Sequence, residues 1–235
     1  KGTGVAIVTP FNKDNNPDMK ALGKLVDFII KGGVEYVVAL GTTGEASTLT
    51  SEEKRAVVDT VIESVDKRVP IVLGLGGNNT QEILNSLQKS ADFNHIDAIL
   101  SVSPYYNKPN QRGIYQHYKA IAEAASGNLE QCMKIIKNKP KDFMVISGDD
   151  LITLPMIACG ADGVISVVAN AFPADFSEMT RQILKGNVDE AQRLHYKLTD
   201  IIEQLFADGN PAGVKAVLEM LNICSANVRL PLVKV

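Results

Sequence analysis

Six short runs of almost unbroken aliphatic and β-branched residues recur along this chain, at Gly4–Thr9, Tyr36–Gly41, Pro70–Gly76, Ala98–Ser103, Phe143–Gly148 and Gly163–Ala169. A strand wetted on one face alternates apolar and polar residues, whereas a strand covered on both faces reads as a continuous apolar run. The runs are therefore expected to be parallel strands. Amphipathic stretches separate them, at Met19–Lys31, Ser51–Val65, Thr80–Ala91, Gln111–Ala124, Asn128–Asn138 and Leu151–Ala158. Three more follow the last run, near Pro173–Lys185, Val188–Phe206 and Pro211–Asn222. Thr50, Ser51, Glu52 and Glu53 supply a cap and an acidic first turn for the second helix. Strict alternation of this kind predicts an α/β fold, a (β/α) barrel with a helical C-terminal extension, rather than an open doubly wound sheet. The expected division places the barrel in residues 1–172 and its last helix with the helical extension in residues 173–235.

The bulk properties exclude several classes. A net charge of −3 offers no footprint for nucleic acid. The local run Lys134, Lys137, Lys139 and Lys141 reads as cations at a helix C-terminus. Cys132, Cys159 and Cys224 are odd in number, widely spaced and without a CxxC pair, so they are expected to be reduced, buried thiols in a cytoplasmic protein. No run of about 18 apolar residues and no cleavable signal pattern occurs, so no membrane partner is expected. His95, His117 and His195 are isolated, which points to no metal, and no cofactor is expected. Gly74-Leu75-Gly76-Gly77 has the first two glycines of a dinucleotide fingerprint but lacks the third, and reads as a strand-terminal turn.

Gly41-Thr42-Thr43-Gly44-Glu45 follows the second apolar run directly. Two hydroxyls and a carboxylate flanked by glycines thus stand at a strand's C-terminal edge, where parallel α/β folds place their chemistry. Taken alone, Thr42 and Thr43 read equally well as caps of a strand-to-helix turn, and Tyr105 and Tyr106 as rim packing. Spacing adds an anomaly. The fourth and fifth runs start at 98 and 143, 45 residues apart, with two helical stretches and no strand between them. A barrel unit takes about 30 residues, and a closed, packed barrel has about eight strands.

Five motifs occur in order: GTGVAIVTPF at Gly2–Phe11, GTTGE at Gly41–Glu45, SPYYNKP at Ser103–Pro109, SGDD at Ser147–Asp150 and GVISVV at Gly163–Val168. Together they resemble the dihydrodipicolinate synthase family of pyruvate-dependent class I aldolases, over essentially the whole chain. The resemblance implies a TIM (β/α)8-type barrel. It also implies condensation of pyruvate with aspartate-4-semialdehyde through a lysine Schiff base, in lysine (diaminopimelate) biosynthesis. Thr42 and Tyr106 then resemble members of a proton relay, with Tyr106 crossing a tight-dimer interface. Thr43 resembles the residue holding the pyruvate carboxylate, and Ile165, a buried strand residue, the backbone contact near the keto acid. Asn78, Glu82 and Tyr105 match an allosteric lysine site, although Ser51 and Lys54 stand where lysine-sensitive members carry histidines. The expected assembly is a homodimer or homotetramer.

One departure governs the outcome. Ala125-Ser126-Gly127 matches the tail of the family's Lys-Glu-Ala-Ser-Gly strand end, but the preceding residues match the end of the fourth helix. The fifth strand, its helix and the sixth strand are thus missing around a junction at Ala124–Ala125, with roughly 45–60 residues and the Schiff-base lysine. The chain opens without Met and ends at Val235, short of the usual family end, so it is expected to derive from a longer polypeptide containing that segment. The alternatives are a non-catalytic remnant or scaffold, and another pyruvate aldolase such as N-acetylneuraminate lyase. The Thr-Thr pair favours the synthase over lyases that carry Ser-Thr there.

Overall fold

The computed structural model describes residues 1–83, 95–102, 104, 109–110, 112–113 and 144–235. Each apolar run contains a strand: β1 (Gly2–Ala6), β2 (Tyr36–Ala39), β3 (Ile71–Gly74), β4 (Ala98–Leu100), β5 (Ile146–Ser147) and β6 (Gly163–Ser166). The strands are shorter than the runs, for a local reason visible at β6. Beyond Ser166 the backbone N–H groups go to side chains instead of a neighbouring strand. Asp150 accepts from Val167 and Val168, Ser166 Oγ accepts from Ala169, and residues Val168–Asn170 close into a 3-10 turn.

All strand pairings among the described residues are parallel, and the order across the sheet is β4-β3-β2-β1-β6-β5. Starting from β5, the neighbours run β6, β1, β2, β3, β4, so the last strand pairs with the first and no step reverses direction. A doubly wound sheet reverses at a switch point. Cyclic order without reversal, built from right-handed crossovers, is that of a barrel with helices on one side only. The cycle is interrupted between β4 and β5 among the described residues. The expected junction Ala124–Ala125, the stretch Asn128–Asn138, and most of Gln111–Ala124 and Thr80–Ala91 lie outside the described residues.

The helices are α1 (Met19–Lys31), α2 (Ser51–Val65), α3 (Thr153–Ala158), α4 (Pro173–Leu184), α5 (Val188–Phe206) and α6 (Ala212–Met220). In α1 the Asp18 carboxylate accepts from Ala21 N at 2.9 Å, and Leu22, Leu25, Val26 and Ile29 form the buried stripe. Thr50 and Glu53 make a reciprocal capping box for α2. Helix α3 starts later than the sequence pattern suggests. Asp149 Oδ1 accepts from Leu151 N and Asp149 O from the Thr153 hydroxyl, so the chain turns before it coils. Pro173 opens α4, whose Phe176 and Met179 are fully buried, and α5 lays Leu194, Leu198 and Ile202 on the same core. One thiol departs from expectation: Cys224 is buried but Cys159, at the end of α3, is exposed.

Side chains alternate faces along each strand. Val5, Val37, Ala39, Ile71 and Val164 join the helices in the main core. Gly4, Tyr36 and Ile165 share the next register row, on the other face. There the Tyr36 ring crosses β1 and donates its hydroxyl to Val164 O at 2.8 Å, and burial holds the phenol well above its usual range. The crossing needs a glycine beneath it, because a Cβ on Gly4 would lie 2.0 Å from the Tyr36 ring. Gly4→Ala is accordingly expected to destabilise the fold by about 1–3 kcal/mol through overpacking, read as a lower urea midpoint. An unchanged midpoint would show that Tyr36 does not cross β1.

Candidate active site

The loop after β2 is built against backbone preference. Leu40 and Glu45 adopt left-handed conformations, with φ of 56° and 53°, on either side of a 3-10 turn at Thr42–Gly44. Such conformations cost non-glycine residues on the order of 1–2 kcal/mol each, so the surroundings must impose them. Inside the loop, Gly44 N donates to Gly41 O at 3.1 Å and Glu45 N to Thr42 O at 3.0 Å. From the neighbouring strand end, the Thr9 hydroxyl donates to Gly44 O at 2.7 Å. Gly44 is closely approached as well, since a Cβ there would sit 3.2 Å from Ile7 O. The two threonines differ in setting. Thr42 is exposed, whereas Thr43 is buried and its Oγ1 accepts from Asn210 Nδ2 at 2.7 Å.

Behind the turn lies a network of charges. Lys215 Nζ, fully buried on α6, donates to Glu45 Oε1 at 2.5 Å and to Asn227 O at 2.8 Å. The other Glu45 oxygen accepts from Arg229 N at 2.9 Å. The Arg229 guanidinium forms a fork onto Glu53, at 2.8 and 2.5 Å, and also donates to Thr48 O and Asn15 O. Phe11 presents its ring to both cations, with Lys215 Nζ at 4.3 Å and the Arg229 guanidinium carbon at 4.5 Å from its centroid. Burial draws the Lys215 ammonium below the usual lysine range, and the Glu45 carboxylate opposes that shift. The hydrogen bonds from Arg229 hold Glu53 down at about 2.

A second cluster joins the C-terminal ends of β5, β6 and β1. Asp150 is buried, and its Oδ2 accepts from Val167 N at 3.1 Å and Val168 N at 3.4 Å, while Oδ1 has no hydrogen-bond partner. Burial pushes its carboxyl up to about 6, although Ser166 and the two N–H groups favour the ionised form. Asn170 spans to β1, donating to Ala6 O at 2.7 Å and accepting from Val8 N at 3.2 Å.

The structure thus brings Thr42 and Thr43 together at the end of β2 and places Ile165 on β6, across the intervening β1. Ile165 is half-buried rather than buried, because it faces away from the helices. Asn78 and Glu82 are exposed in the segment after β3. Tyr105 and Tyr106 lie outside the described residues. Asn210, Lys215, Glu45 as an ion partner, and Asp150 as a backbone acceptor escaped the sequence reading. Lys215 did leave a signal: it falls on the buried face shared by Ala212, Val214 and Leu218, where a helix normally places an aliphatic side chain.

The two shifted carboxyls give opposite pH dependences. Glu53 has its folded value below the unfolded one, so its contribution is complete above about 4.5 and is lost as pH falls through about 2. Arg229→Met should therefore cost about 1–3 kcal/mol at neutral pH, and the part of that penalty due to Glu53 is lost as pH falls to about 2, read as a smaller difference in urea titrations. Asp150 has its folded value raised from 3.8 to about 6, so the wild type loses stability as pH climbs through that window. Relative to Asp150→Asn, the wild type should fall by on the order of 2–3 kcal/mol between pH 4 and pH 7. A flat difference across that range would remove Asp150 from the set of strained groups.

The family model described as the dihydrodipicolinate synthetase family matches residues 1–126 and 123–235. The chain is 47% identical to the 4-hydroxy-tetrahydrodipicolinate synthase of Flavobacterium psychrophilum, covering 100% of the chain and 92% of the relative. It is 48% identical to the enzyme of that name from Parabacteroides distasonis, covering 99% and 91%. The first alignment spans 272 positions against 235 residues here, a net difference of 37, fewer than strand spacing suggested. Among solved structures, the dihydrodipicolinate synthase of Acinetobacter baumannii complexed with pyruvate superposes with a TM-score of 0.94 at 37% identity, covering 100% of this chain and 93% of that one. With a barrel order of strands, a hydroxyl-bearing turn at their C-terminal ends and matches along the whole chain, this protein belongs to the dihydrodipicolinate synthetase family.

Proposed function

We infer that the chain serves the reaction for which its relatives are named, condensing pyruvate with aspartate-4-semialdehyde through a lysine Schiff base in lysine biosynthesis. The observation that carries this reading is the Thr42–Thr43 turn, fixed at the strand ends in a chain 47% identical to such a synthase along its length. A lysine amine attacks the pyruvate ketone and water leaves, giving a protonated imine. Loss of a methyl proton gives an enamine, whose carbon attacks the aldehyde and forms the new C–C bond. Thr43, whose Oγ1 accepts from Asn210 Nδ2, is assigned to the pyruvate carboxylate, and the backbone of Ile165 to the neighbouring wall of the keto-acid site. The exposed Thr42 hydroxyl is assigned to proton transfer with Tyr106, because a hydroxyl passes a proton on without acquiring charge.

The nucleophile is assigned, through the family resemblance, to the segment for which the aligned relatives have additional positions. Lys215 is no substitute, being wholly buried and paired with Glu45. Pyruvate with borohydride should therefore leave no adduct on any lysine of the 235-residue chain. In a polypeptide carrying the segment, one lysine within it should be trapped. Intact mass and peptide mapping report both results, and an adduct on Lys108 or Lys119 would refute the assignment. In the complete polypeptide, Thr42→Val should slow turnover by about 10²-fold or more with the fold intact. Thr43→Val should act mainly on the pyruvate KM.

Assembly follows from the relay assignment: Tyr106 acts only if a neighbouring subunit receives it, so a homodimer or a homotetramer is expected. Light scattering that gives a strict monomer at micromolar concentration would count against the relay. Asn78, Glu82 and Tyr105 are assigned to a regulatory lysine site, with sensitivity reduced by the cation of Lys54. A cytoplasmic location fits a biosynthetic enzyme of this family. Among the described residues, no helix is long and apolar enough to cross a membrane.

A further inference from the structure

Glu45 and Lys215 take no part in the proposed chemistry, yet they form the most deeply buried ion pair among the described residues, with side chains 1% and 0% exposed. Stability alone does not account for such a pair, since apolar residues of similar volume often serve as well or better. Its geometry is more telling. Glu45 is the left-handed residue that closes the Thr42–Gly44 turn, and both its oxygens are taken by groups from the C-terminal segment, Lys215 Nζ and Arg229 N. A third bond from that segment, Asn210 Nδ2 to Thr43 Oγ1, acts on the turn itself. Arg229 N is in turn placed by its own side chain, which is anchored on Glu53 in the first turn of α2 and on the Thr48 and Asn15 carbonyls. The turn is thus held from behind by residues far from it in sequence.

We propose that Lys215 and Arg229 are positioning residues for the 2-oxo acid: by fixing Glu45 they set the direction in which the Thr43 hydroxyl and the N–H groups of the turn meet its carboxylate. This rests on reading that turn as the carboxylate site. Neither cation is a catalytic residue. Lys215 has no exposed surface, and Arg229 spends its donors on Glu53 and on backbone carbonyls.

The test uses the complete polypeptide, carrying the segment assigned to the nucleophile, with Lys215→Met, which keeps an unbranched side chain of similar length, with Glu45→Gln, which keeps the shape of the carboxylate, and with Arg229→Met. Amide hydrogen exchange at Gly44 and Glu45 and the affinity for pyruvate are measured on each, the latter by NMR titration. In all three, exchange at Gly44 and Glu45 is expected to quicken at least 10-fold more than that of amides in α1 and α5, which report the general loss of stability. Pyruvate should bind at least 10-fold more weakly. Because a purely structural role would move all amides together, a uniform rise overturns the proposal. So does unchanged exchange at Gly44 and Glu45, or quickened exchange with unaltered pyruvate affinity. If Lys215→Met does not fold, Glu45→Gln decides by the same criteria. A complete wild-type polypeptide that binds no pyruvate overturns the functional reading together with this one. A wild type that binds while the variants bind equally well overturns this one alone.

Discussion

An ammonium and a carboxylate held out of water must satisfy each other, and at Glu45–Lys215 that requirement ties the front of this structure to its end. Removing one partner of such a pair typically costs about 3–5 kcal/mol, because the other is left as an unpaired buried charge. The constraint propagates. Lys215 can reach Glu45 only if α6 is seated, and Glu45 can be reached only if the chain leaves the Thr42–Gly44 turn in a left-handed conformation. Phe11, from the segment after β1, completes the enclosure with its ring against both Lys215 and Arg229. Three regions distant in sequence therefore fix one another's geometry around a turn of three residues.

The sheet supplies the other half of the arrangement. Parallel strands linked by right-handed crossovers deliver all their C-terminal ends to one side, and each end carries a loop. On that side the structure places the Thr42–Thr43 turn after β2, the Asp150 carboxylate after β5 and the Val168–Asn170 turn after β6. The strand-end polar groups are satisfied mainly by one another. Asp150 takes two N–H groups beyond β6, and Asn170 binds both sides of the chain leaving β1. Rigidity where the strands end is what a site that orients a small 2-oxo acid needs, since misplacement by about 1 Å can cost about 10²-fold in rate.

Two carboxylates in this framework, one half-buried and one buried, behave differently for one physical reason. Glu53 meets a guanidinium in a two-point fork, so its charge is favoured. Asp150 meets only neutral N–H and hydroxyl donors and keeps one oxygen without a partner, so desolvation prevails. The first holds a helix start to the C-terminal segment over a wide pH range. The second holds the β6 turn with a group whose charge changes near pH 6.

By itself the sequence determined the strands and helices, because continuous apolar runs and amphipathic stripes are local patterns with fixed periods. The runs located all six strands of the described residues, and the stripes located α1, α2 and α5 to the residue. GTTGE was legible as a strand-end site because hydroxyls, glycines and an acid directly follow an apolar run. Strand ends were less legible: β6 stops at Ser166 only because Asp150 and Ser166 capture the next N–H groups. Only the tertiary structure decided that β6 pairs with β1, which makes the order a barrel's, and that Gly4 exists to let Tyr36 pass. It alone paired Glu45 with Lys215 and Thr43 with Asn210, contacts across more than a hundred and sixty residues. No local pattern encodes such a partner, since the energy that selects it arises only when both groups have already lost their water.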